Sequence, residues 1–75
     1  MSTNENYQEK FLNAARREGQ GVTLFLMNGF QLRGVISAYD SYVVMLQSEG
    51  KQHMIYKHAI STVVPNTAIP LSDER

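Results

Sequence analysis

The chain has 75 residues, which fits one domain, and it contains no cysteine, which excludes disulfides and thiolate metal sites. Seven Lys and Arg balance seven Asp and Glu, so net charge alone argues against a nucleic-acid partner, although Arg16-Arg17 and Lys57-His58 are local positive spots. No stretch approaches the roughly 20 apolar residues of a membrane span and the polar first twenty residues lack a signal-peptide pattern, so a cytoplasmic soluble protein is expected.

A domain of this size buries only roughly 60–65% of its unfolded surface, and such a core rarely supplies more than about 3–5 kcal/mol. Disulfides are excluded, and His53 and His58 lack suitably spaced companion ligands for zinc. No metal or other cofactor is therefore expected, and oligomerisation is the remaining support.

Residues 1–6 read as a flexible N-terminus, with Asn6 and Glu9 at the spacing of a capping pair. A helix over 7–18 follows, with Tyr7, Phe11, Ala14 and Ala15 on one side and Asn13, Arg16 and Arg17 on the other. Gly19 and Gly21 end it, and the arginines lie where the helix dipole favours cations. The pattern then changes to strands: Val22–Met27, a two-residue Asn28-Gly29 hairpin turn, and a strand from Phe30 to Tyr39. In that strand Phe30, Leu32, Ile36 and Ala38 share one parity, and Gly34 predicts a bend or bulge. Asp40-Ser41 turns into a third strand, Tyr42–Gln47, and the polar turn Ser48–Lys51 leads to a fourth, Gln52–Tyr56. Lys57-His58 joins it to a fifth, Ala59–Val64, ended by Pro65, and residues 66–75 read as a flexible tail. One helix and five closely spaced strands predict a mainly β fold, a small partly closed barrel whose apolar fifth strand offers an edge to a neighbouring subunit.

The segment Tyr56-Lys57-His58-Ala59-Ile60-Ser61 places an aromatic ring, an ammonium and an imidazole before a short apolar strand. Those groups suit a nucleic-acid base and its phosphate: a stacking surface, a positive charge and a hydrogen-bonding edge. The alternative is a plain turn with Tyr56 in the core.

Phe11-Leu12-Asn13, Asn28-Gly29-Phe30-Gln31-Leu32 with Gly34, Asp40, and Tyr56-Lys57-His58-Ala59-Ile60-Ser61-Thr62 together resemble the motifs of the bacterial Sm-like RNA chaperone family Hfq, over about residues 8–65. The resemblance implies an N-terminal helix on a strongly bent five-stranded Sm-like (SH3-like) barrel spanning residues 7–65, assembled as a homohexameric ring. It also implies single-stranded RNA partners, with small regulatory RNAs paired to messenger RNAs. Phe25, Phe30, Arg33 and the turn Ser48–Lys51 look most like the Gram-positive branch.

Carried over by this resemblance, Gln8, Ser41, Tyr42, Tyr56, Lys57 and His58 would bind uridine-rich strands around the pore, with Tyr42 stacking on the base. Such stacking is worth roughly 1–3 kcal/mol per base. Ser41 stands where relatives often carry Gln or Asn. The opposite face would take adenosine- or purine-rich strands through Phe25, Asn28, Gly29, Phe30, Gln31, Leu32, Arg33, His53, Ser61 and Thr62. His53 stands where Gln is common, so adenosine selectivity at that step is not implied. Asn13, Arg16, Arg17 and Tyr39 would form a rim patch that helps two RNAs pair, weakened by Gly19 where strongly annealing members are basic. The plainer readings are a strand tyrosine packed on its neighbour, core phenylalanines and a solvated helix face. Asp40 and Gly34 read as structural.

An enzyme is the rival class. Ser61, His58 and Asp40 form a conceivable hydrolase set, but neither a nucleophile elbow nor a phosphate-cradling Gly-rich loop surrounds them. A ring that binds proteins is a third possibility, opposed by the three basic or aromatic clusters.

Overall fold

A computed structural model of the chain describes residues 6–71; the ends of the expected flexible segments, residues 1–5 and 72–75, lie outside the described residues. Helix α1 spans Tyr7–Glu18 and is followed by strands β1 (Gly21–Leu26), β2 (Gln31–Tyr39), β3 (Val43–Ser48), β4 (Lys51–Tyr56) and β5 (Ile60–Pro65). A single 3-10 turn, Lys57–Ala59, joins the last two strands. All pairings are antiparallel and the spatial order is β4-β3-β2-β1-β5, so β4 and β5 are the two free edges of one bent sheet. The fold class is the one the sequence implied.

Local chemistry sets the ends of α1. The Asn6 side chain accepts a hydrogen bond from the Glu9 amide at 3.1 Å, satisfying one of the orphan donors of the first turn. Gly19 closes the other end in the left-handed conformation, its N–H donating to the Ala15 and Arg16 carbonyls. The buried face differs from the one read in the sequence: Leu12 and Ala15 enter the core, Phe11 packs against it, and Tyr7 stays exposed. The core is Leu12, Ala15, Val22, Leu24, Ile36, Val44, Leu46 and Ile55, the inward-facing rows of β1 to β4 closed by α1.

Three strand details also depart from the expectation. First, the β1–β2 connection is longer than a two-residue hairpin. Gly29 N–H donates to the Leu26 carbonyl at 2.9 Å, so Asn28-Gly29 forms the end of a turn begun at Leu26, and Gly29 takes the positive φ of 94° that this geometry requires. Asn28 then accepts from the Phe30 amide at 3.0 Å, leaving Phe30 in the loop and highly exposed.

Second, Gly34 is not the bulge. It pairs in register with Val22, and a Cβ there would overlap the Gln47 carbonyl, so glycine permits close approach of β2 and β3. The irregularity lies at Ser37, between the pairs Ile36–Leu46 and Ala38–Met45. The extra residue reverses the alternation: Ala38 is exposed and Tyr39 turns inward, half-buried against the core.

Third, Tyr42 precedes β3 rather than starting it. The Asp40 carboxylate accepts from the amides of both Tyr42 and Val43, at 2.8 and 2.9 Å, and the Asp40 amide donates to the Val43 carbonyl. This clamp takes the Tyr42 N–H out of the ladder and holds the ring outside the sheet.

After Pro65 the chain remains in contact with the barrel. Asn66 N–H donates to the Gly21 carbonyl at 2.9 Å, Thr67 N–H to the Gln20 side chain, and Ile69 packs against the core.

Candidate nucleic-acid interface

Residues expected at a pore face come together at the two turns at one end of the sheet. The Lys57 amide donates to the Tyr42 carbonyl at 2.8 Å, tying the 3-10 turn to the loop before β3. Val43 pairs with Tyr56 in the same region. Tyr42 is 77% exposed, the highest value among the large apolar or aromatic side chains of the described residues, and therefore presents a bare ring. Tyr56 is also exposed, which removes the core reading of this residue; its ring stacks on His58 with centroids 5.7 Å apart and planes 14° from parallel. Asp40 beneath this group has its carboxyl held below the usual carboxylate range by the Tyr42 and Val43 amides, with the nearby Lys57 charge adding to the effect.

Gln8 and Lys57 line a groove of about 360 Å³ between α1 and β5. Its walls include Tyr7, Phe11, Val44, Ile60 and Leu71. Ser61 and Thr62, expected with the opposite-face set, border this same groove, because the edge strand β5 runs along it. Ser61 is the extra residue between the pairs Phe25–Thr62 and Leu26–Ile60, and its hydroxyl lies 3.3 Å from that of Thr62.

The remaining opposite-face residues fall into three neighbouring groups. Phe25 pairs with Gln31 on one side and Thr62 on the other, forming a row across β2, β1 and β5. Asn28, Gly29 and Phe30 occupy the exposed turn at the end of that row. Gln31, Leu32, Arg33 and His53 line a groove of about 410 Å³ with Ser48, Glu49 and Lys51. Ser48 was not foreseen as a contributor: it is buried, and its hydroxyl donates to the Arg33 carbonyl at 2.6 Å, fixing the backbone from which Arg33 projects. No local signal marks such a bond, which spans two strands.

The rim residues come together on the last turns of α1. Arg16 donates to the Asn13 side chain at 3.1 Å, and its guanidinium carbon lies 5.8 Å from the Tyr39 ring centroid. Arg17 is exposed beside it. The sequence pointed to this grouping but not to a second contact: the Lys57 ammonium lies 5.6 Å from the same ring centroid. That contact depends on the Ser37 bulge and is invisible to strand periodicity.

Comparison with known proteins agrees with the architecture. The Hfq protein family model matches residues 7–70. The RNA-binding protein Hfq of Carboxydothermus hydrogenoformans is 57% identical over 70 residues, covering 92% of this chain and 82% of the relative. That of Bacillus thuringiensis is 51% identical over 74 residues, covering 99% of this chain and all of the relative. A crystal structure described as the pleiotropic translational regulator Hfq superposes with a TM-score of 0.78 at 56% identity, covering 79% of this chain and 98% of the other.

Proposed function

This chain belongs to the Hfq family, and from that premise we propose that it is an RNA-binding protein with no bond chemistry of its own, working in the cytoplasm as a homohexameric ring. One face takes uridine-rich single strands at Tyr42, Lys57 and His58, with Gln8, Ser41 and Tyr56 around them. The opposite face takes adenosine- or purine-rich strands over Phe25, Phe30 and their neighbours, and the Arg16-Arg17 rim aids pairing of small regulatory RNAs with messenger RNAs. The observation that supports this reading is the exposed Tyr42 ring, a bare stacking surface whose backbone carbonyl accepts from the Lys57 amide, which ties the Tyr42 loop to the turn that carries Lys57 and His58. Asp40 Oδ1 accepts from the Tyr42 and Val43 amides, which fits the structural role read for it in the sequence.

The test compares oligo-uridine and oligo-adenosine binding at two salt concentrations. Lys57→Ala is expected to weaken oligo-uridine about tenfold or more while sparing oligo-adenosine, and Phe30→Ala to do the reverse. The salt slope reports phosphate contacts, and the residual preference reports base recognition. Equal losses on both polymers for either variant would refute the assignment of two faces.

A further inference from the structure

The pore-face and rim residues meet on one aromatic ring. Tyr39 lies at the end of β2, paired with Val44 and half-buried against the core, and its hydroxyl donates to the Glu9 carbonyl of α1 at 3.4 Å. The Arg16 guanidinium reaches it from the last turns of α1 and the Lys57 ammonium from the 3-10 turn, at 5.8 and 5.6 Å from the centroid. Both distances are within the range in which a ring quadrupole attracts a cation, and they place the two charges within about 12 Å of each other. Regular alternation from Ile36 would aim Tyr39 outward; the bulge at Ser37 turns it toward α1 and Lys57.

Resting on the RNA-binding reading above, we infer that Tyr39 is a positioning residue that holds Arg16 and Lys57 on one ring, so that the pore face and the rim act on a single RNA strand as one continuous site. Two long cationic side chains on separate elements would otherwise lose considerable rotamer freedom when a strand binds both. A fixed ring, anchored by core packing and by the hydroxyl bond to α1, reduces that loss and presents the two charges at a set spacing. A short strand that fills only the pore face gains nothing from Arg16. A strand that continues to the rim meets both charges together.

The test is a double-mutant cycle of Lys57→Ala and Arg16→Ala on the full chain, with a short oligo-uridine and with a uridine-rich strand long enough to pass from pore to rim. For the long strand the double variant should lose about fivefold less affinity than the product of the single losses. That coupling should vanish in Tyr39→Leu, persist in Tyr39→Phe, and be missing for the short strand. Because Tyr39 touches the core, circular dichroism and sedimentation check the fold of each variant, and NMR supplies a reading without RNA. Ring-current shifts on the Lys57 ε and Arg16 δ protons should be present in the parent and in Tyr39→Phe. Losses that simply multiply in the parent, coupling that survives in a folded Tyr39→Leu, or protons without ring-current shifts would each overturn the inference while leaving the two-face reading intact. A Lys57→Ala variant that leaves oligo-uridine binding unchanged would overturn both.

Discussion

Asp40 shows how one carboxylate holds the loop that displays an exposed aromatic ring. Its two amide bonds hold the loop that displays Tyr42, and the same bonds stabilise the ionised form, so its folded pKa lies below the ordinary value of 3.8. The sign follows directly: a carboxyl whose folded pKa is lowered contributes stability that is fully present above the unfolded value and is lost as pH falls through the folded one. In acid, therefore, the loop before β3 should loosen. Asp40→Asn keeps an oxygen acceptor but removes the titration. Its melting temperature should sit below the parent's at neutral pH, and the gap should close as the pH falls below 3.8 and through the lowered folded pKa. A gap that stays constant through the acid range would show that the charge of Asp40 plays no part in holding the loop.

At the level of elements, Gly34 and Ser37 divide roles that the sequence placed on Gly34 alone. Gly34 lets β2 approach β3, and Ser37 supplies the bulge. Gly34→Ala should therefore destabilise by about 2–3 kcal/mol, because the added methyl meets backbone that cannot rotate away. Chemical denaturation of the variant measures this; a loss near zero would mean that the strands separate freely at this point. The same pair marks the limit of what could be read from residues. A helix with an Asn cap and a Gly stop, and strands with punctuating turns, are written in local chemistry, so helix and strand number and order were legible. A bulge is a competition between two strands over register, and Ser37 carries no mark of it. The consequences that depend on register were hidden with it: the outward Ala38, the inward Tyr39 and the Lys57 contact. The candidate site was legible where it rests on contiguous motifs, as at Asn28-Gly29-Phe30 and Tyr56-Lys57-His58. It was not legible where side chains meet through the fold, as at Ser48 with Arg33 and Tyr39 with two cations.

The whole molecule raises the question of how so small a core supports exposed aromatic rings on several surfaces. The buried apolar residues are few and mostly small or aliphatic, with Leu24, Ile36 and Leu46 as the largest fully enclosed side chains. Meanwhile Met54 and Tyr56 on β4 and Val64 on β5 remain exposed at the two unpaired edges of the sheet. Unpaired antiparallel edges at opposite ends of one sheet are complementary to each other, and a head-to-tail contact that closes makes a ring. Ring formation would cover apolar side chains at those edges such as Met54 and Val64, and it would repeat Arg16 and Lys57 around an axis, which would let a chain with no net charge hold a polyanion. For the homohexamer proposed above the mass in solution should be about six times that of the chain, and stability should rise with protein concentration because assembly is linked to folding. A charge on the β5 edge is the sharper probe. Val64→Asp is expected to lower the sedimenting mass, to make the melting temperature depend more steeply on concentration, and to weaken both homopolymers together, since both faces depend on the ring. A parent chain that sediments as a folded monomer at micromolar concentration would refute the closed ring, and with it the idea that repetition rather than net charge holds the RNA.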